Sequence, residues 1–129
     1  MRYCIVLFLV LSGLFVEAQE SYSTLTQNAL ETMWKAKDEK GYKQALEMFE
    51  EAFRIYPDSI DGFGLYKSSL LASELKDYDK AFKYLIPLAT MKTDEDSYPG
   101  WSYVVGKDSE KEYKNLVADP RWNALKKKL

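Results

Sequence analysis

Residues able to do chemistry are scarce in this chain, and the scarcity begins with histidine, of which there is none among 129 residues. That absence removes imidazole general bases, Ser-His-Asp triads and nearly all zinc chemistry. The single cysteine, Cys4, precedes the apolar run 5–16, so it offers neither a thiol nucleophile nor a thiolate metal ligand to an exported product. Glycine is equally unhelpful. Gly62 and Gly64 make only a GxG fragment and Gly100 stands alone, where a phosphate-cradling loop needs several glycines ahead of a helix. Carboxylates are plentiful, but Glu47, Glu50 and Glu51 have the spacing of a solvated helix surface. Asp94-Glu95-Asp96 is the one dense acidic cluster; it lacks the glycine and the distal glutamate of a calcium loop and reads as a solvated loop. A glycosidase-like carboxylate pair would need a cleft to hold it. The expectation is a protein without catalysis, cofactor or metal.

Charge narrows the partner class. With 18 basic and 20 acidic residues the formal net charge is -2, and a nucleic-acid binder needs a clear basic excess. Lys126-Lys127-Lys128 is the only basic cluster and reads as a helix end placed favourably against the macrodipole. The N-terminus reads as an address: Arg2 supplies a positive start, 5–16 is apolar but for Ser12 and Gly13, and Val16-Glu17-Ala18 offers a peptidase site. Residues 1–18 are therefore expected to be a secretory signal cleaved after Ala18, an uncleaved anchor being the alternative. The run is short for a membrane span and no second one follows. The expected product is exported, whether periplasmic, cell-surface or secreted, with no stable membrane span after cleavage.

The elements that follow are helical. After a polar leader at 19–24, Leu25, Ala29, Met33 and Ala36 recur at helical spacing, with Leu30 and Trp34 broadening the stripe. Asp38 to Gly41 reads as a turn, with Gly41 at the helix C-terminus. A second helix carries Tyr42, Ala45, Phe49, Ala52 and Phe53; Pro57 ends it and Asp58-Ser59 offers a new N-cap. A third is expected from about Ile60 to Leu75, then a turn at Lys76-Asp77. A fourth carries Tyr78, Ala81, Phe82, Leu85 and Leu88 to about Thr90, with Pro87 bending or shortening it. Tyr42-x2-Ala45-x3-Phe49-x2-Ala52 repeats as Tyr78-x2-Ala81-x3-Leu85-x2-Leu88 at an offset of 36 residues, and Ala36 maps to Ala72. Self-similar helix pairs at such a period are the signature of a helical solenoid.

These residues resemble the tetratricopeptide repeat family. The first repeat, 26–59, has Tyr42, Ala45, Phe49, Ala52 and Pro57 in the family's places. The second, 62–95, keeps Tyr78 and Ala81 but has Leu85 and Leu88 in place of the later aromatic and alanine, and it lacks the closing proline. Both first helices depart from the pattern, with Ala29 and Leu65 where tryptophan is usual. The resemblance covers about half of the chain. It implies an all-α fold of tandem antiparallel hairpins, a solenoid, in which the first helix of each repeat lines a concave docking face.

Carried onto this sequence, that face comprises Gln27, Leu30, Trp34, Lys37 and Asp38, then Phe63, Tyr66, Leu70, Ser73 and Glu74. The family's clamp for a peptide's terminal carboxylate is missing, because Leu30 and Trp34 stand where it needs Lys and Asn. The segment 96–129 is expected to be a loop followed by capping helices. Ser109 to Glu112 fits a capping box opening a helix to about Val117, and Asp119-Pro120 starts a last helix with Trp122 and Leu125 inward. Two arrangements remain: the groove is open, or Trp101 or Trp122 of the tail fills it. The functions implied are an exported protein- or peptide-binding module, or an assembly subunit whose apolar face another chain covers, self-association included. A carbohydrate-binding accessory protein using Tyr98, Trp101 and Tyr103 is the alternative.

Overall fold

The computed structural model describes residues 21–91 and 100–129. The secretion signal and most of the polar leader, the cluster Asp94 to Asp96 and Tyr98 lie outside the described residues. Among the described residues the fold is all-α: α1 Tyr22–Lys35, α2 Glu39–Ile55, a 3-10 turn Pro57–Ser59, α3 Gly62–Glu74, α4 Tyr78–Thr90, α5 Ser102–Val105, α6 Ser109–Glu112 and α7 Pro120–Lys127. The helices pack as adjacent pairs, α1 with α2 and α3 with α4, and α2 joins the pairs by packing on α3. Among the described residues no helix is long and apolar enough to cross a membrane.

Capping chemistry sets the boundaries. Ser21, Asp38, Asp61 and Asp77 each accept a hydrogen bond from the backbone N–H three residues on, satisfying a donor that the helix itself leaves orphaned. Two of these caps differ from the sequence expectation. Asp38 opens α2 rather than belonging to a loose turn, and Gly41 lies inside α2 rather than at the end of α1. A Cβ on Gly41 would sit 2.8 Å from the Cβ of Ala36, so the glycine serves the tight three-residue link rather than a left-handed turn. Likewise Asp58-Ser59 forms a 3-10 turn and the cap of α3 is Asp61.

α3 ends in a Schellman motif: Asp77 N donates to Ala72 O and Lys76 N to Ser73 O, with Lys76 at φ 59. Pro87 does not end α4, which runs on to Thr90.

The repeat positions share one packing role. Ala45 and Ala81 are both fully buried (0%), as are Phe49 and Leu85, and Ala52 and Leu88 are buried too. Small side chains at the first pair let neighbouring helices approach closely, while the bulkier second pair fills the space beyond. Phe53 of α2 stacks on Tyr22 of α1 (6.3 Å between centroids) and meets Tyr84 of α4 edge-on at 5.6 Å. One aromatic chain thus crosses from the first helix pair to the second. Glu50 reinforces it, accepting from Lys80 Nζ at 3.0 Å and Tyr84 Oη at 2.6 Å.

The tail closes the other end. Tyr113, Leu116, Trp122 and Leu125 join the same core cluster, and Tyr113 packs on Trp122 at 5.7 Å. The final helix begins at the expected Asp119 cap with Pro120 in its first turn. Arg121 fastens it: the guanidinium binds Asp119 and Asp79 and lies 4.6 Å from the centre of the Phe82 ring. The helix expected from Ser109 to Val117 is reduced to Ser109–Glu112. Ser109 Oγ donates to Gly106 O instead of capping.

Candidate partner-binding face

The ten residues of the expected docking face divide into two groups. On α1, Trp34 is 69% exposed and Gln27 is exposed, while Leu30 is buried at 6% and belongs to the core. Lys37 and Asp38 follow α1 in the link and are exposed, Asp38 being held by its cap bond to Gly41 N. On a helical wheel Gln27 and Trp34 flank Leu30 at the edge of the buried stripe, so an apolar indole stands where the stripe meets solvent.

The α3 group is in a different state. Phe63 is exposed at 41% and Glu74 is exposed, but Tyr66 and Leu70 are half-buried and Ser73 is buried. The cause is the tail. The Tyr103 ring lies 4.6 Å from Tyr66, and Tyr66 Oη donates to Glu112 Oε2 at 2.6 Å. Tyr113 Oη pairs with Ser69 Oγ at 2.7 Å, and Asn115 Nδ2 donates to Ser73 O at 3.1 Å. These pairs, 66 with 112, 69 with 113 and 73 with 115, advance together along both segments. The tail therefore runs beside α3 in the same sense.

The tail does fold back, with Tyr103, Glu112, Tyr113 and Asn115 on α3. Neither tryptophan named from sequence does this work: Trp122 is buried against Tyr113, and Trp101 is 51% exposed.

Electrostatics follow this geometry. Lys67 Nζ lies 5.0 Å from the centre of the Tyr66 ring and 5.8 Å from that of Phe63, so the α3 aromatics already carry a cation of their own. Burial pushes the Tyr113 phenol far above the usual range, with the Ser69 bond opposing it and the Tyr66, Glu112 and Tyr103 charges adding to it. Burial also raises Tyr84 and Tyr22, helped by the carboxylates of Glu50 and Asp61. A phenol so placed stays protonated at neutral pH and acts as a hydrogen-bond donor, not as a base.

Sequence reasoning missed Ser69, Glu112, Tyr113 and Asn115 as the residues that cover α3. Among the described residues no group of three or more Asp, Glu, His or Cys side chains is placed to hold a metal ion. No protein-family model, curated protein or solved structure matches the chain.

Proposed function

We propose that this protein is an exported, non-catalytic binding module of tetratricopeptide type, a scaffold or accessory subunit of a bacterial envelope that docks a peptide or protein segment. In this reading the two packed helix pairs are antiparallel hairpins in tandem, and the tail is the cap that ends the array. The equal burial of Ala45 with Ala81 and of Phe49 with Leu85 supports the tandem arrangement.

One observation carries the binding reading. The indole of Trp34 is left 69% exposed on α1, while the chain's own tail covers the corresponding face of α3. A large rigid aromatic kept in solvent gives up burial that any core position would reward, and such residues dominate interface hot spots. Gln27 and Lys37 supply polar contacts around it.

The test is selection of a random-peptide display library on the purified protein, with Trp34→Ala as the counter-screen. Peptides enriched on the parent and lost on the variant are expected, with the melting temperature unchanged. No enrichment, enrichment indifferent to Trp34, or an unfolded variant would each sink the reading.

A further inference from the structure

Where the tail meets α3 it encloses a cavity of about 290 Å³. Tyr66 contributes from α3, Ser102 and Tyr103 from α5, and Asp108, Ser109 and Glu112 from the turn of α6. Lys107 completes the charged part of the lining. We propose that this cavity binds a single sugar ring, or a neutral polyhydroxylated ligand of that size. This goes beyond the peptide reading, which uses the α1 face. It also differs from an exposed platform of Tyr98, Trp101 and Tyr103, because the ligand enters an enclosed site.

The chemistry of the lining selects the ligand. The space is roughly ten times the share of one water molecule in the liquid, room for one small ring and not for a chain. The walls mix carboxylates, hydroxyls and an ammonium, so they offer strong acceptors and donors side by side. Glu112 uses Oε2 for Tyr66, and a carboxylate has about four acceptor positions in all. Asp108 stands at the cap of α6 yet makes no capping hydrogen bond, so helix formation does not engage its carboxylate. Sugar hydroxyls donate to such carboxylates and accept from serines and Lys107. The Tyr66 and Tyr103 rings, 4.6 Å apart, give the apolar surface that the C–H face of a pyranose needs.

Other ligand classes fit less well. An apolar ligand would strip water from Asp108 and Glu112 without replacing its hydrogen bonds. A small anion would face both carboxylates at close range. An organic cation would meet Lys107 in the lining, and Lys67 already lies 5.0 Å from the Tyr66 ring centre. A neutral molecule rich in hydroxyls leaves none of these groups opposed.

Amide-resolved ¹H–¹⁵N NMR titration of the purified protein tests this, with glucose, galactose and N-acetylglucosamine as probes and choline chloride as the cation control. At least one sugar should give saturable shifts confined to the amides around Ser102 to Glu112, and choline should not. Asp108→Ala and Ser102→Ala should keep the parent melting temperature. Each should weaken that sugar by about tenfold or more, as expected when a hydrogen bond to a charged group or a well-placed hydroxyl is lost. The proposal is overturned if no sugar saturates at these amides, if only choline does, or if both folded variants bind the sugar as the parent does. These outcomes are independent of Trp34, so the peptide reading stands or falls separately.

Discussion

Tyr113 donates its phenolic proton to Ser69 Oγ across 2.7 Å of fully buried core. The direction follows from proton counting. Ser69 has one hydroxyl proton and gives it to Tyr66 O at 2.8 Å, so toward Tyr113 it accepts. This bond joins the tail to the middle of α3.

Tyr113→Phe removes that donor and leaves the ring. Loss of a buried hydrogen bond with one partner retained costs about 1–2 kcal/mol, and chemical denaturation should show it as a lower midpoint at unchanged slope. A loss several times larger would mean that the phenol also orders the tail, and no loss would mean that the bond contributes nothing.

Alkaline pH should destabilise the fold. Tyr22, Tyr84 and Tyr113 are all held above the ordinary phenol value of 10.0. Their contribution is therefore complete below pH 10 and is lost as pH rises beyond it, because the unfolded chain releases protons that the folded chain retains. The melting temperature should be level from neutral pH to about pH 9 and fall above pH 10. Tyr113→Phe should fall less steeply than the parent over the same interval. An equal slope in the two proteins would contradict this.

Glu50 joins α2 to α4 through Lys80 and Tyr84. Glu50→Ala should cost about 1–3 kcal/mol, the scale of a hydrogen bond to a charged acceptor. Tyr84→Phe removes the same bond from the other side, so the double variant should cost less than the sum of the singles. Strict additivity in a thermal-denaturation cycle would show that the two do not interact.

Lys76 occupies the left-handed region at φ 59, where a side chain costs an ordinary residue about 1–2 kcal/mol. Glycine relieves that cost but adds about 0.5–1 kcal/mol of backbone entropy to the unfolded chain. Lys76→Gly should thus be neutral to stabilising by up to about 1 kcal/mol, and Lys76→Val destabilising. Calorimetry decides it, and a destabilised glycine variant would contradict the argument.

The four long helices were legible because their apolar residues recur at a period the α-helix imposes. Ala45, Phe49, Ala81 and Leu85 announced both their burial and their equivalence. The links were read less well. A glycine chosen for close approach, as Gly41 is to Ala36, looks in sequence like one chosen for a left-handed cap. Ser109 fits a capping box by spacing, yet its hydroxyl turns to Gly106 O.

The docking face was half legible: the sequence placed Trp34 and Phe63 on it but not the coverage of α3. The helical turns of the tail, four residues each in α5 and α6, are too short to show a period. Their partners lie more than forty positions away, beyond any local pattern.

That sequence separation governs the order of assembly. Tyr66 with Glu112, Ser69 with Tyr113, Ser73 with Asn115 and Asp79 with Arg121 bridge 42 to 46 residues. Contacts within a helix pair close short loops and form early, whereas contacts across long loops must wait for that entropy to be met. A chain delivered from its N-terminus completes both helix pairs before its last residues arrive. Until then Tyr66 and Ser69 lack their tail partners, and for that interval α3 is as open to a neighbour as α1.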